Sequence, residues 1–151
     1  MRKRIALAFS WLVILNLHVV HAQVVTGYSI FEPLSSEAGN PVRGRAIVAS
    51  RQTGLCLLCH SGPFPEERFQ GNLAPELKAS VARLNAPQLR ARIVNAAHFN
   101  PQTIMPAYYQ ASHLNRVAPK FVGQTILNGQ EIEDVVAFLM TLNNENSLSS
   151  R

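Results

Sequence analysis

The sequence predicts an all-α fold of three main helices joined by loops, and three stretches carry that reading. Asn40-Pro41 offers a capping side chain followed by proline at the first helical position. Beyond it Val42, Ala46, Ile47 and Ala49 alternate with Arg43, Arg45 and Arg51, an amphipathic helix over 42–51. A second helix is expected over 86–97. Pro87 stands near its start, Leu89, Ile93, Val94 and Ala97 share one face, and Arg90 and Arg92 point elsewhere. The third is the clearest. Asn128 stands three residues before Glu131, a capping box with asparagine in the cap position, and Ile132, Val135, Val136, Leu139 and Leu142 then recur at helical spacing. Glu131, Glu133 and Asp134 are expected in the first turn, where the helix dipole favours acids.

The rest reads as loop. Gly54 ends the first helical stretch, Gly62-Pro63-Phe64-Pro65 breaks regular structure, and 71–77 is a further loop. Pro101, Pro106 and Pro119 leave room for short turns at most over 98–124. Residues 23–39, with Gly27, Pro33 and Gly39, form an extended N-terminal arm, either a partner-binding element or a loose leader. The chain therefore divides into 1–22, the arm 23–39, a single domain over 40–143, and a polar, frayed tail over 144–151.

Residues 1–22 have the pattern of a secretory signal peptide. Arg2, Lys3 and Arg4 precede a mostly apolar run, and Val20-His21-Ala22 presents small residues for cleavage after Ala22. The run is short for a full membrane span and is interrupted by Asn16 and His18, so no stable span is expected after cleavage. This segment holds three basic residues and no acid. Without it, 11 Lys and Arg face 9 Asp and Glu, a net charge of +2. With no basic stretch interleaved with aromatics, nucleic-acid binding is excluded.

An exported chain with two cysteines would ordinarily form a disulfide. Here they stand in Cys56-Leu57-Leu58-Cys59-His60, the C-x-x-C-H pattern of covalent haem attachment. The spacing suits the chemistry. Two thiols must reach two neighbouring vinyl groups, and the next residue must place an imidazole under the iron as proximal ligand. A thioredoxin-like dithiol would need a βαβ context that is absent, and a zinc site would need a fourth ligand and usually a second paired motif. One covalent haem c is the expected cofactor, inside a small class I-like cytochrome c fold whose first and last helices pack together.

The second axial ligand has five candidates: Met105, Met140, His98, His113 and Lys120. Met140 continues the apolar face of the last helix and reads as core. Lys120 reads as solvated, and His98 and His113 as surface or supporting residues. Met105 lies in the proline-rich loop Asn100-Pro101-Gln102-Thr103-Ile104-Met105-Pro106. There Pro106 stiffens the backbone and favours an extended Met105, as a weak thioether ligand requires.

Four segments together resemble SoxX, the small haem subunit of the SoxAX cytochromes of bacterial sulfur oxidation. They are residues 54–60, Gly71-Asn72-Leu73-Ala74-Pro75-Glu76-Leu77, the loop 100–109 ending Met105-Pro106-Ala107-Tyr108-Tyr109, and the helix start from Ile126 through Gln130-Glu131-Ile132-Glu133-Asp134-Val135-Val136 to Leu139. The resemblance spans roughly 40–142. The sequence departs from the family pattern at Ala74, where glycine is usual, at Leu55, where asparagine is usual, and at Asn128-Gly129. The resemblance implies a periplasmic heterodimer with a SoxA-type haem subunit. It also implies an enzyme complex of the L-cysteine S-thiosulfotransferase type that couples thiosulfate to a cysteine of the SoxYZ carrier. Its chemistry would lie on SoxA, and this chain would pass electrons to an acceptor cytochrome without being an enzyme alone. A free-standing periplasmic electron shuttle is the alternative.

Overall fold

A computed structural model describes residues 25–26 and 29–149, with side chains over 29–143. The expected signal segment lies outside the described residues. Four helices follow one another: α1 (Pro41–Ala49), α2 (Leu77–Val81), α3 (Ala86–Val94) and α4 (Gly129–Ser149). Single 3-10 turns occur at Cys56–Leu58, Ala96–His98 and Pro119–Phe121. A minimal antiparallel ladder joins β1 (Val25–Thr26) to β2 (Ser29–Ile30), so the arm begins with a strand pair that periodicity alone does not reveal. No helix among the described residues is long and apolar enough to cross a membrane.

Helices α1 and α4 form the frame. The Asn40 side chain accepts from the backbone N–H groups of Val42 and Arg43 at 2.9 and 3.1 Å, which starts α1 where the sequence predicts. The helix stops at Ala49, two residues short of the expected end. Ser50 is the cause: its hydroxyl takes the N–H groups of Gln52 and Thr53 into a local turn. Gly44 faces α4 so closely that a Cβ there would strike the Asp134 carbonyl. This backbone-on-backbone crossing admits only glycine.

At the start of α4, Asn128 and Glu131 exchange hydrogen bonds of 2.9 and 2.8 Å, the expected capping box. Glu131 lies in the first turn, but Glu133 and Asp134 fall beyond it and are buried. Asp134 receives Arg43 through two bonds, 2.6 and 3.0 Å long, and the Asn40 N–H at 2.7 Å. Burial by itself would raise the Asp134 carboxyl, yet Arg43, the Asn40 N–H and Gln130 together hold it below the usual carboxylate range. Helix α4 also runs on to Ser149, past the tail boundary expected at 143, since no glycine or proline interrupts it.

Arg90 corrects the sequence expectation. It does not point away from the core; it is 5% exposed and forms a forked pair with Glu133, itself 6% exposed, at 2.7 and 2.8 Å. A third Arg90 bond, 2.6 Å, goes to the Ile30 carbonyl, while Glu133 accepts the Leu34 N–H at 2.9 Å. The pair thus ties residues 30–34 of the arm to α3 and α4. Arg92 does point outward, its guanidinium 4.8 Å from the centre of the Phe99 ring. Helix α3 begins with a capping box between Asn85 and Gln88 and ends at Val94, not at 97. The Asn95 side chain accepts the Ala97 N–H and turns the chain into the 3-10 segment.

The core joins Val48, Leu57, Leu77, Val81, Leu89, Ile93 and the inner face of α4. Phe64, expected only to break structure, is one of its largest fully buried side chains. Its ring lies 5.7 Å from that of Phe138, with the Arg45 guanidinium 4.7 Å from its centre.

Candidate functional site

Between this frame and the loops lies a cavity of about 620 Å³, within the usual range for cofactor sites of about 300–1,000 Å³. Cys56, Cys59, His60 and Met105 all line it. Its walls are otherwise mostly apolar, among them Val48, Leu77, Ile93, Leu127, Val135 and Leu139 from the helical side. The loop side contributes Asn100, Gln102 and Thr103 as well as Ile104 and Pro106.

The attachment motif takes its shape from one 3-10 turn, with the Cys59 and His60 N–H groups both returning to the Cys56 carbonyl. Leu57 is fully buried and anchors the turn, whereas Leu58 is exposed. Leu55, just before it, holds a left-handed conformation with φ of 59°. Asparagine tolerates this conformation better than leucine. Behind the motif, Gly71 lies so close to the Leu58 carbonyl and the Cys59 backbone that a Cβ has no room. The loop 71–77 is thereby pressed against the motif, and the Cys59 carbonyl accepts the Ala74 N–H at 3.0 Å.

This loop also positions the histidine. His60 Nδ1 lies 2.6 Å from the Pro75 carbonyl oxygen. A carbonyl can only accept, so Nδ1 carries the proton. The neutral ring then has its lone pair on Nε2, the nitrogen that would meet a metal, and the ring orientation is fixed. Nothing in the sequence marks the Pro75 carbonyl as a partner, because a backbone acceptor has no side-chain signature.

Burial pushes the Cys56 thiol up to about 11, so it is protonated at neutral pH. The Cys56 sulfur donates to the Gly54 carbonyl at 3.3 Å. The same carbonyl accepts a 2.6 Å bond from the hydroxyl of Tyr108, a buried residue lining the cavity. Burial is the main reason the Tyr108 phenol is held well above its ordinary value, with the neighbouring Cys56 adding to it. Tyr108 belongs to the Met-Pro-x-Tyr-Tyr stretch but shows no role until its hydroxyl is placed.

The other candidate ligands lie elsewhere. Met140 packs against the hydrophobic core, and His98, His113 and Lys120 are exposed. None of these four lines the cavity. The Lys120 ammonium lies 4.7 Å from the centre of the Phe121 ring.

The donor set fits a covalently attached haem: two thiols one helical turn apart, an oriented imidazole and a thioether around one apolar chamber. Among solved structures, the chain is similar to SoxXA from P. pantotrophus, with 35% identity and a TM-score of 0.72. The match covers 80% of this chain and 93% of that one. This chain belongs to the SoxX family. SoxX chains are the small cytochrome subunits of a sulfur-oxidation complex, and the class I-like cytochrome c fold expected from the sequence is the fold found. No family profile and no curated protein matches the chain.

Proposed function

We propose that this SoxX-type chain is the electron outlet of a periplasmic thiosulfate-oxidising complex, carrying one haem c. In this reading Cys56 and Cys59 would hold the haem through their two sulfurs. His60 would supply Nε2 and Met105 its thioether to the iron. Pro106 keeps the methionine loop stiff. The haem supplies a one-electron couple. Export would follow from residues 1–22.

The observation that carries the reading is that the C-x-x-C-H motif and Met105 line one apolar cavity whose lining includes no carboxylate, lysine or arginine. With the two thiols, the imidazole and the thioether engaged by the haem, the cavity would offer no acid–base pair for substrate chemistry. Electron exchange needs only a docking surface. Leu58, Leu73 and Ile104 each line the cavity and are also exposed, the last two by 72 and 73%. They form an apolar rim suited to a redox partner. The partner would be a SoxA-type haem subunit in a heterodimer. That subunit would couple thiosulfate to a cysteine of a SoxYZ carrier, and this chain would pass the electrons to an acceptor cytochrome.

The test follows the haem reduction band while the SoxA-type subunit, the carrier and thiosulfate are each left out in turn. Reduction only in the full mixture is expected. Thiosulfate coupling by this chain alone would refute the outlet role. No reduction in the full mixture would favour the free-standing shuttle. Residues 30–34, held by Arg90 and Glu133 of their own chain, give no support to a partner-binding role for that part of the arm.

A further inference from the structure

Tyr108 is anchored at three points on three parts of the fold. Its N–H donates to the Ile93 carbonyl of α3 at 3.2 Å, and its carbonyl accepts the Leu127 N–H at 3.0 Å, just before α4. Its hydroxyl crosses to the Gly54 carbonyl at 2.6 Å, two residues ahead of Cys56. Only Pro106 and Ala107 separate it from Met105. The hydroxyl bond is therefore a direct tie between the loop that carries the thioether and the turn that carries the two thiols.

We infer that Tyr108 is a positioning residue that holds Met105 in place through its hydroxyl bond to Gly54. The inference rests on the haem and Met105 reading above and deepens it. Thioether formation strengthens the argument. When Cys56 gives its sulfur and hydrogen to the vinyl group, it ceases to be a donor to the Gly54 carbonyl. Tyr108 is then the side-chain donor that this buried carbonyl retains. Without it, the carbonyl gains most by shifting toward water, and the methionine loop loses its link to the attachment turn.

The experiment uses the full holo-protein with Tyr108→Phe, which removes one oxygen and leaves the ring. Imidazole is titrated into the oxidised protein, and displacement of the methionine is read from loss of the weak far-red sulfur-to-iron band. Loss of one hydrogen bond that favours the closed loop should raise the apparent imidazole affinity roughly two- to tenfold. The reduction potential should fall, because thioether ligation favours ferrous iron. Tyr109→Phe, a change to the neighbouring tyrosine, should leave both readouts at the parent values. A Tyr108→Phe protein that titrates like the parent overturns the inference while leaving the haem reading intact. A parent that lacks the far-red band overturns the Met105 assignment, and this inference with it. If Tyr108→Phe yields no holo-protein, the parent decides. A Tyr108 hydroxyl proton seen by NMR to exchange far more slowly than that of Tyr109 supports the tie, and equal rates overturn it.

Discussion

Where α1 crosses α4, a glycine meets a carbonyl and Arg43 grips Asp134 with two bonds; where α3 meets α4, Arg90 grips Glu133 with two more. Around the cavity much of the chain is loop, held by ties such as Tyr108 to Gly54, His60 to Pro75, and Gly71 against the motif backbone. The helical side is specified by contacts the chain makes with itself. The loop side frames the cavity that Cys56, Cys59, His60 and Met105 line. A change on the first side should appear as lost stability, and a change on the second as altered spectrum and potential.

The sharpest way to break this comparison is Glu133→Ala. It leaves Arg90 buried without its counter-charge and frees the Leu34 N–H, and should cost about 3–5 kcal/mol. Guanidinium unfolding of the holo-protein measures this, and the far-red band should persist in the folded fraction. A negligible change in midpoint would contradict the division.

The two methionines sharpen it next. Met140→Ala removes a partly buried core side chain and should cost about 2 kcal/mol, the low end for such truncations, with the spectrum unchanged. Met105→Ala should abolish the far-red band and lower the reduction potential. Visible spectroscopy beside denaturant unfolding separates the two, and reversed behaviour would exchange their roles.

The smallest expected effect concerns acid. Because the Asp134 pKa is lowered by folding, its ionised form contributes stability that is fully present above the unfolded value of about 3.9. That contribution is lost as pH falls through the lower folded value. Asp134→Asn should therefore lose stability at neutral pH and show a flatter decline at acid pH than the parent. Unfolding midpoints taken between neutral pH and about pH 3 test this, and parallel profiles would remove Asp134 from the acid transition.

The caps, the three main helices and the attachment motif are legible because their signals are local. Asn40 and Asn128 each act within three residues of themselves. What escapes a sequence reading is the pairing of distant polar groups. Arg90 looks like a surface arginine until Glu133 and Ile30 close around it, and Phe64 looks like loop until Phe138 meets it. Helix α2 is too short for periodicity to show. In the site, the side chains announce themselves, but the Pro75 carbonyl and the reach of the Tyr108 hydroxyl do not.

The bond from His60 to Pro75 makes the loop 71–77 an electronic element as well as a mechanical one. An imidazole whose Nδ1 proton is drawn toward an acceptor gives more electron density through its other nitrogen. Pro75 and Leu73 belong to the same short loop, and Leu73 is exposed at the cavity rim. Pressure on that loop that lengthens or shortens the bond would be felt as a change in the setting of the histidine ring. The fold thus links an exposed side chain at the cavity rim, through one short loop, to the setting of the His60 ring.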